Sequence, residues 1–370
     1  MKNKLLIFST GFALFSMFFG SGNLVFPITV GKASEGHFVW AFLGIFLTGV
    51  LIPFLGVLGL FLYKGDFQRF FALFGKRGTF VFSFLALALL GPFGVLARCL
   101  TVAHGSLLLL WPDLSLPATS LCLCVVIYFL TMNKHQIINT LGNALTPVLL
   151  LAIGLIAYFG SRYGHFPEGS SFSAWSALQT GFFQGYQTMD LLAAFFFSQF
   201  VIKHLRNLGN EAAMQTFFPS ALIASLILSC VYFALVTLGW LYSSQLMDTP
   251  PQKMLGKIAL EALGPYGAPC VCVAVLLACL TTAIALTFLF ADFLKEEVTQ
   301  NRLGNKPALA LTLGIGFAVS TFDFAGIASF LGPILETVYP VLILLTLFNL
   351  GSHLWRSGKQ KLTLFKVGEK

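Results

Sequence analysis

Charge is what this 370-residue sequence has least of. Asp, Glu, Lys and Arg make up only 10% of it, where a soluble domain is nearer a quarter. With 57% hydrophobic residues and a mean hydropathy of +0.86, the chain belongs in a bilayer and crosses it several times. Alternation of apolar and polar residues is also missing, which excludes a transmembrane β-barrel and leaves an all-α integral membrane protein. The seven cysteines (99, 122, 124, 230, 270, 272 and 279) all fall in apolar stretches. Cys122/Cys124 and Cys270/Cys272 are C-x-C pairs, but no second pair stands at zinc-site spacing with His. They read as small core residues without a disulfide framework. There is no His/Asp/Glu cluster, no Ser-His-Asp set and no phosphate-binding loop, so no cofactor is expected. Only Arg98, Asp190 and His104 lie at depth, too few for a convergent acid–base set, which makes a membrane-embedded enzyme a remote alternative. A passive channel needs a continuous polar lining, and spans holding most of 41 Phe do not supply one. The net charge of +8 sits in short inter-helix loops and at the C-terminus. That placement sets membrane orientation and speaks for lipid rather than nucleic acid as the surrounding partner.

What the sequence does have is an apolar stretch that interrupts itself. Gly11 to Pro27 reads GFALFSMFFGSGNLVFP, apolar enough to enter a membrane but with Gly20-Ser21-Gly22-Asn23 at its centre. These are poor helix formers, and a broken backbone exposes N–H and C=O groups that lipid cannot satisfy. The half-helix ending near Phe19 offers carbonyls that suit a cation. The half-helix beginning near Asn23 offers N–H groups that suit a carboxylate. Lys2 and Lys4 ahead of this run imitate a signal peptide, but the apolar stretch continues past residues 20–22 to Pro27, so an uncleaved first span is expected.

About ten spans are expected, near residues 5–30, 38–63, 79–110, 117–132, 141–160, 177–202, 217–243, 266–292, 307–322 and 324–350. Span 3 is long enough for a tilt or a kink at Gly91-Pro92. Counted on alternate sides, 17 Lys and Arg fall on one side and four (Lys32, Arg162, Lys253, Lys257) on the other, with Arg98 inside span 3. This asymmetry places both termini in the cytoplasm, at the inner membrane.

Five spans followed by five is an arrangement for an inverted repeat: residues 1–165, then 166–350, then a basic tail, 351–370. The first span of the second half should then also be broken. It reads GFFQGYQTMDLLAAFFFSQF, Gly181 to Phe200, and Gly185, Tyr186, Gln187, Thr188 and Asp190 make its centre the most polar segment in any span. Polar groups at that depth are costly unless they face a site, and matched interruptions in two halves point to a transporter's binding site. In span 8, Thr281 and Thr282 could return bonds to their own helix. Beside the carbonyls of span 1 they could instead ligate a hard cation, for which Na⁺ suits a neutral-oxygen site. Arg98 should point inward to a carboxylate or a cluster of carbonyls, with Asp190 the first candidate partner, either as a structural or gating charge that locks span 3 or in direct contact with substrate. Glu336 is read as lining an outer vestibule, and His104 as a hydrogen-bonded packing residue.

The segments ALFSMFFGSGNLVFP, FLTGVLIPFLG, GYQTMDLLAA and ACLTTAIALT together resemble the branched-chain amino-acid cation symporter family over nearly the whole chain. The resemblance implies a leucine-transporter-type fold and uptake of leucine, isoleucine and valine coupled to Na⁺, with H⁺ or a broader hydrophobic amino-acid range as the alternative. It implies a cation site from Ser16, Phe19, Thr281 and Thr282. It also implies a substrate site in which Phe19, Gly20, Ser21, Gly22 and Asn23 face the carboxylate, and Gly185, Tyr186, Gln187, Thr188 and Asp190 face the amine and side chain. The chain departs from the family pattern at Gln184, usually Glu, and at Ala97 and Cys99, usually Pro and Thr. Family members typically run to twelve spans.

Overall fold

The computed structural model describes residues 2–132, 146–166, 173–206 and 210–367, and all regular structure among them is helical. Lys134 and Lys370 of the orientation count lie outside the described residues. Among these, six stretches are long and apolar enough to cross a membrane, or seven when the bent pair at the N-terminus counts as one. The other expected spans, the fourth, sixth and ninth, are formed by shorter helices or a broken pair.

Span 1 comprises α1 (Lys2–Phe18) and α2 (Ser21–Lys32), bent by 71° across Phe19 and Gly20. Span 2 comprises α3 (Phe38–Phe46) and α4 (Ile52–Leu62), joined by a π-helical turn at Leu47–Leu51. Span 3 is α5 (Gly75–Leu90) and α6 (Val95–Leu107), interrupted at the expected Gly91-Pro92. Spans 4 and 5 are α7 (Leu116–Met132) and α8 (Thr146–Tyr163). Span 6 is α9 (Ala174–Gln187) and α10 (Asp190–Arg206), separated by Thr188 and Met189. Span 7 is α11 (Asn210–Leu241). An additional helix, α12 (Met254–Leu263), fills what reads as a loop in the sequence. Spans 8 and 9 are α13 (Gly267–Phe293) and α14 (Asn305–Ser320), and span 10 is α15 (Asp323–Val367), which continues well past the expected end near residue 350.

The first break is shorter than the sequence suggests. The helix restarts at Ser21 rather than near Asn23. The reason is that Asn23 sits in the first turn and reaches back: its Oδ1 accepts the Gly20 N–H at 3.2 Å, the return arm of a capping box. That bond removes the donor an unbroken helix would give to the Ser16 carbonyl, and Pro27 denies one to the Asn23 carbonyl. The second break turns on Met189, whose φ of +62° is left-handed. For a residue with a Cβ this costs roughly 1–2 kcal/mol.

Each broken span packs along the second span of the other half: α1 and α2 against α11, and α9 and α10 against α3 and α4 respectively. Glycine makes both seams close. A Cβ on Gly31 would meet the Val236 carbonyl and one on Gly239 the Ile28 carbonyl. Gly44 and Gly181 stand in the same relation to Leu178 and Ala41. In lipid, where burial of apolar surface gives no net drive, such close backbone approach is what holds helices together.

Candidate functional site

The two breaks meet. Asn23 Nδ2 donates to Asp190 Oδ2 at 2.7 Å, joining residues 167 apart in sequence. Asn23 Nδ2 also lies 2.7 Å from the Tyr232 hydroxyl of α11, which itself donates to Asp190 Oδ2 at 2.9 Å. Two polar side chains, from spans 1 and 7, thus close on one carboxylate oxygen of span 6, and the three residues form one cluster. All three are buried, with Asp190 1% exposed. Around them, a Cβ on Gly22 would lie 3.3 Å from Thr188 Cα. The Thr188 hydroxyl donates to the Gly185 carbonyl at 2.8 Å, and Gly185 is pressed against the Thr48 hydroxyl. Thr48 lies in the π-turn of span 2 and donates to the Phe182 carbonyl at 2.8 Å. Such π-turns occur frequently at functional sites.

The expected cation ligands are brought together in part. Thr282 Oγ1 donates to the Phe19 carbonyl at 3.3 Å, and a Cβ on Gly20 would lie 3.0 Å from the same hydroxyl. The Ser16 hydroxyl is buried and has no partner among the described residues. Thr281 Oγ1, by contrast, bonds the Ala278 carbonyl of its own helix at 3.0 Å. One hydroxyl of the pair therefore faces the break and the other is turned back.

Arg98 points inward and takes carbonyl oxygens rather than a carboxylate. It does not pair with Asp190. Its Nη1 donates to the Gln187 carbonyl and its Nη2 to Gln187 Oε1, both at 2.8 Å, so it serves the last carbonyl of α9. Its Cζ lies 5.2 Å from the Phe26 ring centroid and 5.7 Å from that of Phe324, within cation–π range. Ser21 contacts Cys99, whose Sγ lies 3.5 Å from the Ser21 hydroxyl. The Tyr186 ring lies against Tyr339 of α15, centroids 4.8 Å apart. His104 Nδ1 bonds the Thr119 hydroxyl at 3.2 Å, as a packing residue does. Glu336 is exposed on α15, between buried Leu335 and Tyr339 in the chain. Tyr232 and Tyr339 are site residues that sequence reasoning misses, because a tyrosine in an apolar span reads as core.

A cavity of about 620 Å³ lies apart from the breaks, between α5, α10 and α13. Lys76, Ser83, Gln199, Phe288 and Glu296 line it. Phe288 is six residues beyond Thr282, about 9 Å along the helix.

The model of the branched-chain amino acid transport protein family matches residues 3–367. A relative from Staphylococcus haemolyticus (strain JCSC1435), named as a branched-chain amino acid carrier protein, is 30% identical over 371 residues, covering 92% of this chain and 80% of its own. One of the same description from Staphylococcus aureus (strain USA300) is 29% identical over 365 residues, with the same coverage. Among solved structures the chain resembles Mhp1, a nucleobase-cation-symport-1 family transporter, in a closed conformation with bromovinylhydantoin bound. The TM-score is 0.65 at 16% identity, covering 92% of this chain and 77% of Mhp1. The inward-facing conformation of Mhp1 gives 0.57, also at 16% identity, covering 92% and 75%. The fold is therefore the leucine-transporter type, and the relatives are transporters, not enzymes. Matched by one family model over nearly its whole length, and 30% identical to a carrier of that description, this integral membrane protein belongs to the branched-chain amino acid transport protein family.

Proposed function

We propose that the protein is a secondary active transporter that imports leucine, isoleucine and valine by symport with a cation, Na⁺ in the first instance. The observation that carries this reading is the Asn23–Asp190 contact, which joins two helix breaks in one buried polar cluster. The Asp190 carboxylate and the Thr188 hydroxyl receive the substrate ammonium. The Phe19 and Ser16 carbonyls, the Thr282 hydroxyl and, after a rotamer change, those of Ser16 and Thr281 receive the cation. The apolar side chain lies among the surrounding aromatic residues. Such a pocket separates neighbours differing by one methylene by only about 1–3 kcal/mol, so all three branched-chain substrates are accepted.

Coupling supplies the work. One inward Na⁺ at about 100 mV contributes about 2.3 kcal/mol, and a tenfold gradient contributes about 1.4. Together they sustain an accumulation of a few hundredfold, on the order of 3.7 kcal/mol. Both termini face the cytoplasm across the inner membrane. The two functional halves are residues 1–165 and 166–350, followed by the basic tail. The cavity lined by Lys76, Gln199 and Glu296, which stops at Phe288 short of Thr282, supports a cytoplasmic release route. A second reading, coupling to H⁺, is favoured by one observation: Asp190 is a buried carboxyl with no cationic partner among the described residues.

The test is labelled-leucine uptake into proteoliposomes with imposed gradients. Accumulation above equilibrium that requires an inward Na⁺ gradient, and is competed by isoleucine and valine, is expected. Accumulation that ignores Na⁺ and follows a pH gradient would move the assignment to the proton. Equilibration without accumulation under either gradient would overturn symport.

A further inference from the structure

Two opposite charges flank the break in span 6, and neither has an ionic partner among the described residues. Asp190 opens α10 and is met only by neutral donors. Arg98 is 1% exposed and meets no carboxylate among the described residues. Two of its nitrogens are spent on Gln187, and its Nε has no hydrogen-bond partner among the described residues. A guanidinium cannot shed its charge, and a buried charge held only by neutral acceptors is under-compensated. A second orphan stands beside it. Tyr339 Oη is fully buried and turned to the Leu191 and Leu192 amides at the start of α10, with no well-formed hydrogen bond among the described residues. Those amides are in the first turn, where no preceding carbonyl is available. Tyr339 also lies within electrostatic reach of both Arg98 and Asp190.

The start of α2, the seat expected for a carboxylate, is different. Its Gly20 N–H is already taken by Asn23, and the basic side chain beside α2, Arg98, lies over the Phe26 ring and gives its hydrogen bonds to Gln187. Span 6 instead offers a guanidinium, a hydroxyl and the first-turn amides that the hydroxyl faces on one side, and a carboxylate on the other. An α-amino acid carries the complementary pair of charges.

We propose that Arg98, Tyr339 and the first amides of α10 seat the carboxylate of the substrate, with the Gln187 carbonyl and Oε1 accepting from Arg98 the two bonds that a carboxylate would take. This rests on the amino-acid reading of the same site. Arg98 is then the residue that makes the carrier require an acid at the α-carbon, while Asp190 makes it require an amine. Because Gln187 ends α9, a substrate that displaces it from Arg98 frees the carbonyl at the end of the outer half of span 6.

The test is direct titration of purified protein in nanodiscs with leucine and with leucinol, which keeps the amine and side chain but lacks the carboxylate. The wild type should bind leucine at least about tenfold more tightly than leucinol, as expected for a charge-assisted contact. Arg98→Gln should weaken leucine about 10- to 100-fold and leave leucinol nearly unchanged, so that the preference disappears. Tyr339→Phe should reduce the preference a few-fold, and it serves where Arg98→Gln fails to fold. Asp190→Asn should weaken both ligands and keep their ratio. A leucine-to-leucinol ratio that stays at the wild-type value in both Arg98→Gln and Tyr339→Phe overturns this inference alone. Wild-type protein that binds neither ligand overturns the amino-acid reading and this inference with it.

Discussion

The two helix breaks are equal in length and opposite in chemistry. Each interrupts its span for two residues, Phe19-Gly20 in the first and Thr188-Met189 in the second. The first is made by a glycine in an extended conformation (φ −117°, ψ −159°) and bends the span by 71°. The second is made by a buried methionine forced into the left-handed region. Around the first, every group that answers the freed backbone is neutral: the Thr282 hydroxyl at the Phe19 carbonyl and the Asn23 amide at Gly20. Around the second stand Arg98 and Asp190. A repeat in the backbone has therefore been filled with two chemistries. A neutral oxygen cluster suits a desolvated monovalent cation, and a pair of opposed charges suits a zwitterion.

Substitutions can break or sharpen that contrast. The largest effect is expected at Asp190, the one acid shared by both breaks: Asp190→Ala should lower leucine uptake in proteoliposomes more than about 100-fold, since it leaves Asn23 and Tyr232 without their common acceptor. Thr282→Val should raise the Na⁺ concentration for half-maximal uptake about tenfold, a loss of roughly 1.4 kcal/mol. Thr281→Val should change it less than about twofold, because its hydroxyl is bonded within its own helix and little is lost when it goes. Equal effects of the two would mean that both hydroxyls face the ion. Tyr232→Phe removes one of two donors to Asp190 Oδ2 and should weaken leucine uptake about fivefold through apparent affinity, in the range of one hydrogen bond. Gly20→Ala should have the smallest effect, about threefold, because its Cβ pushes on Thr282 by only a few tenths of an ångström. A double-mutant cycle with Thr282→Ser should show coupling between the two.

Both breaks are legible in the sequence because Gly20-Ser21-Gly22-Asn23 and Gly185-Tyr186-Gln187-Thr188-Met189-Asp190 place helix-breaking and polar residues inside otherwise apolar runs. Their convergence is legible from the five-plus-five arrangement. What the sequence conceals is rotation and register. Thr281 and Thr282 differ by one residue, about 100° around a helix, and nothing local says which of them faces span 1. Arg98 reads as a partner for a carboxylate or a cluster of carbonyls, and that it takes Gln187 rather than Asp190 is set by the direction in which the interrupted backbone resumes, which is a matter of tertiary packing. Tyr232 and Tyr339 carry hydroxyls to the centre on helices whose remaining pattern is apolar, so their role is visible only when the helices are assembled. The helix Met254–Leu263 lies between spans, and a search for spans passes over it.

The exchange of partners between the halves bears on how the protein is made. Asn23 leaves the ribosome 209 residues before Tyr232, its contact on span 7. At about 5–20 residues per second, that is a delay of roughly 10–40 s. During that interval the bent first helix lies in the membrane with its glycine notch uncovered and its spare amides and carbonyls unanswered by the rest of the chain. The first helix of this protein is therefore covered by its own chain only once the second half has arrived.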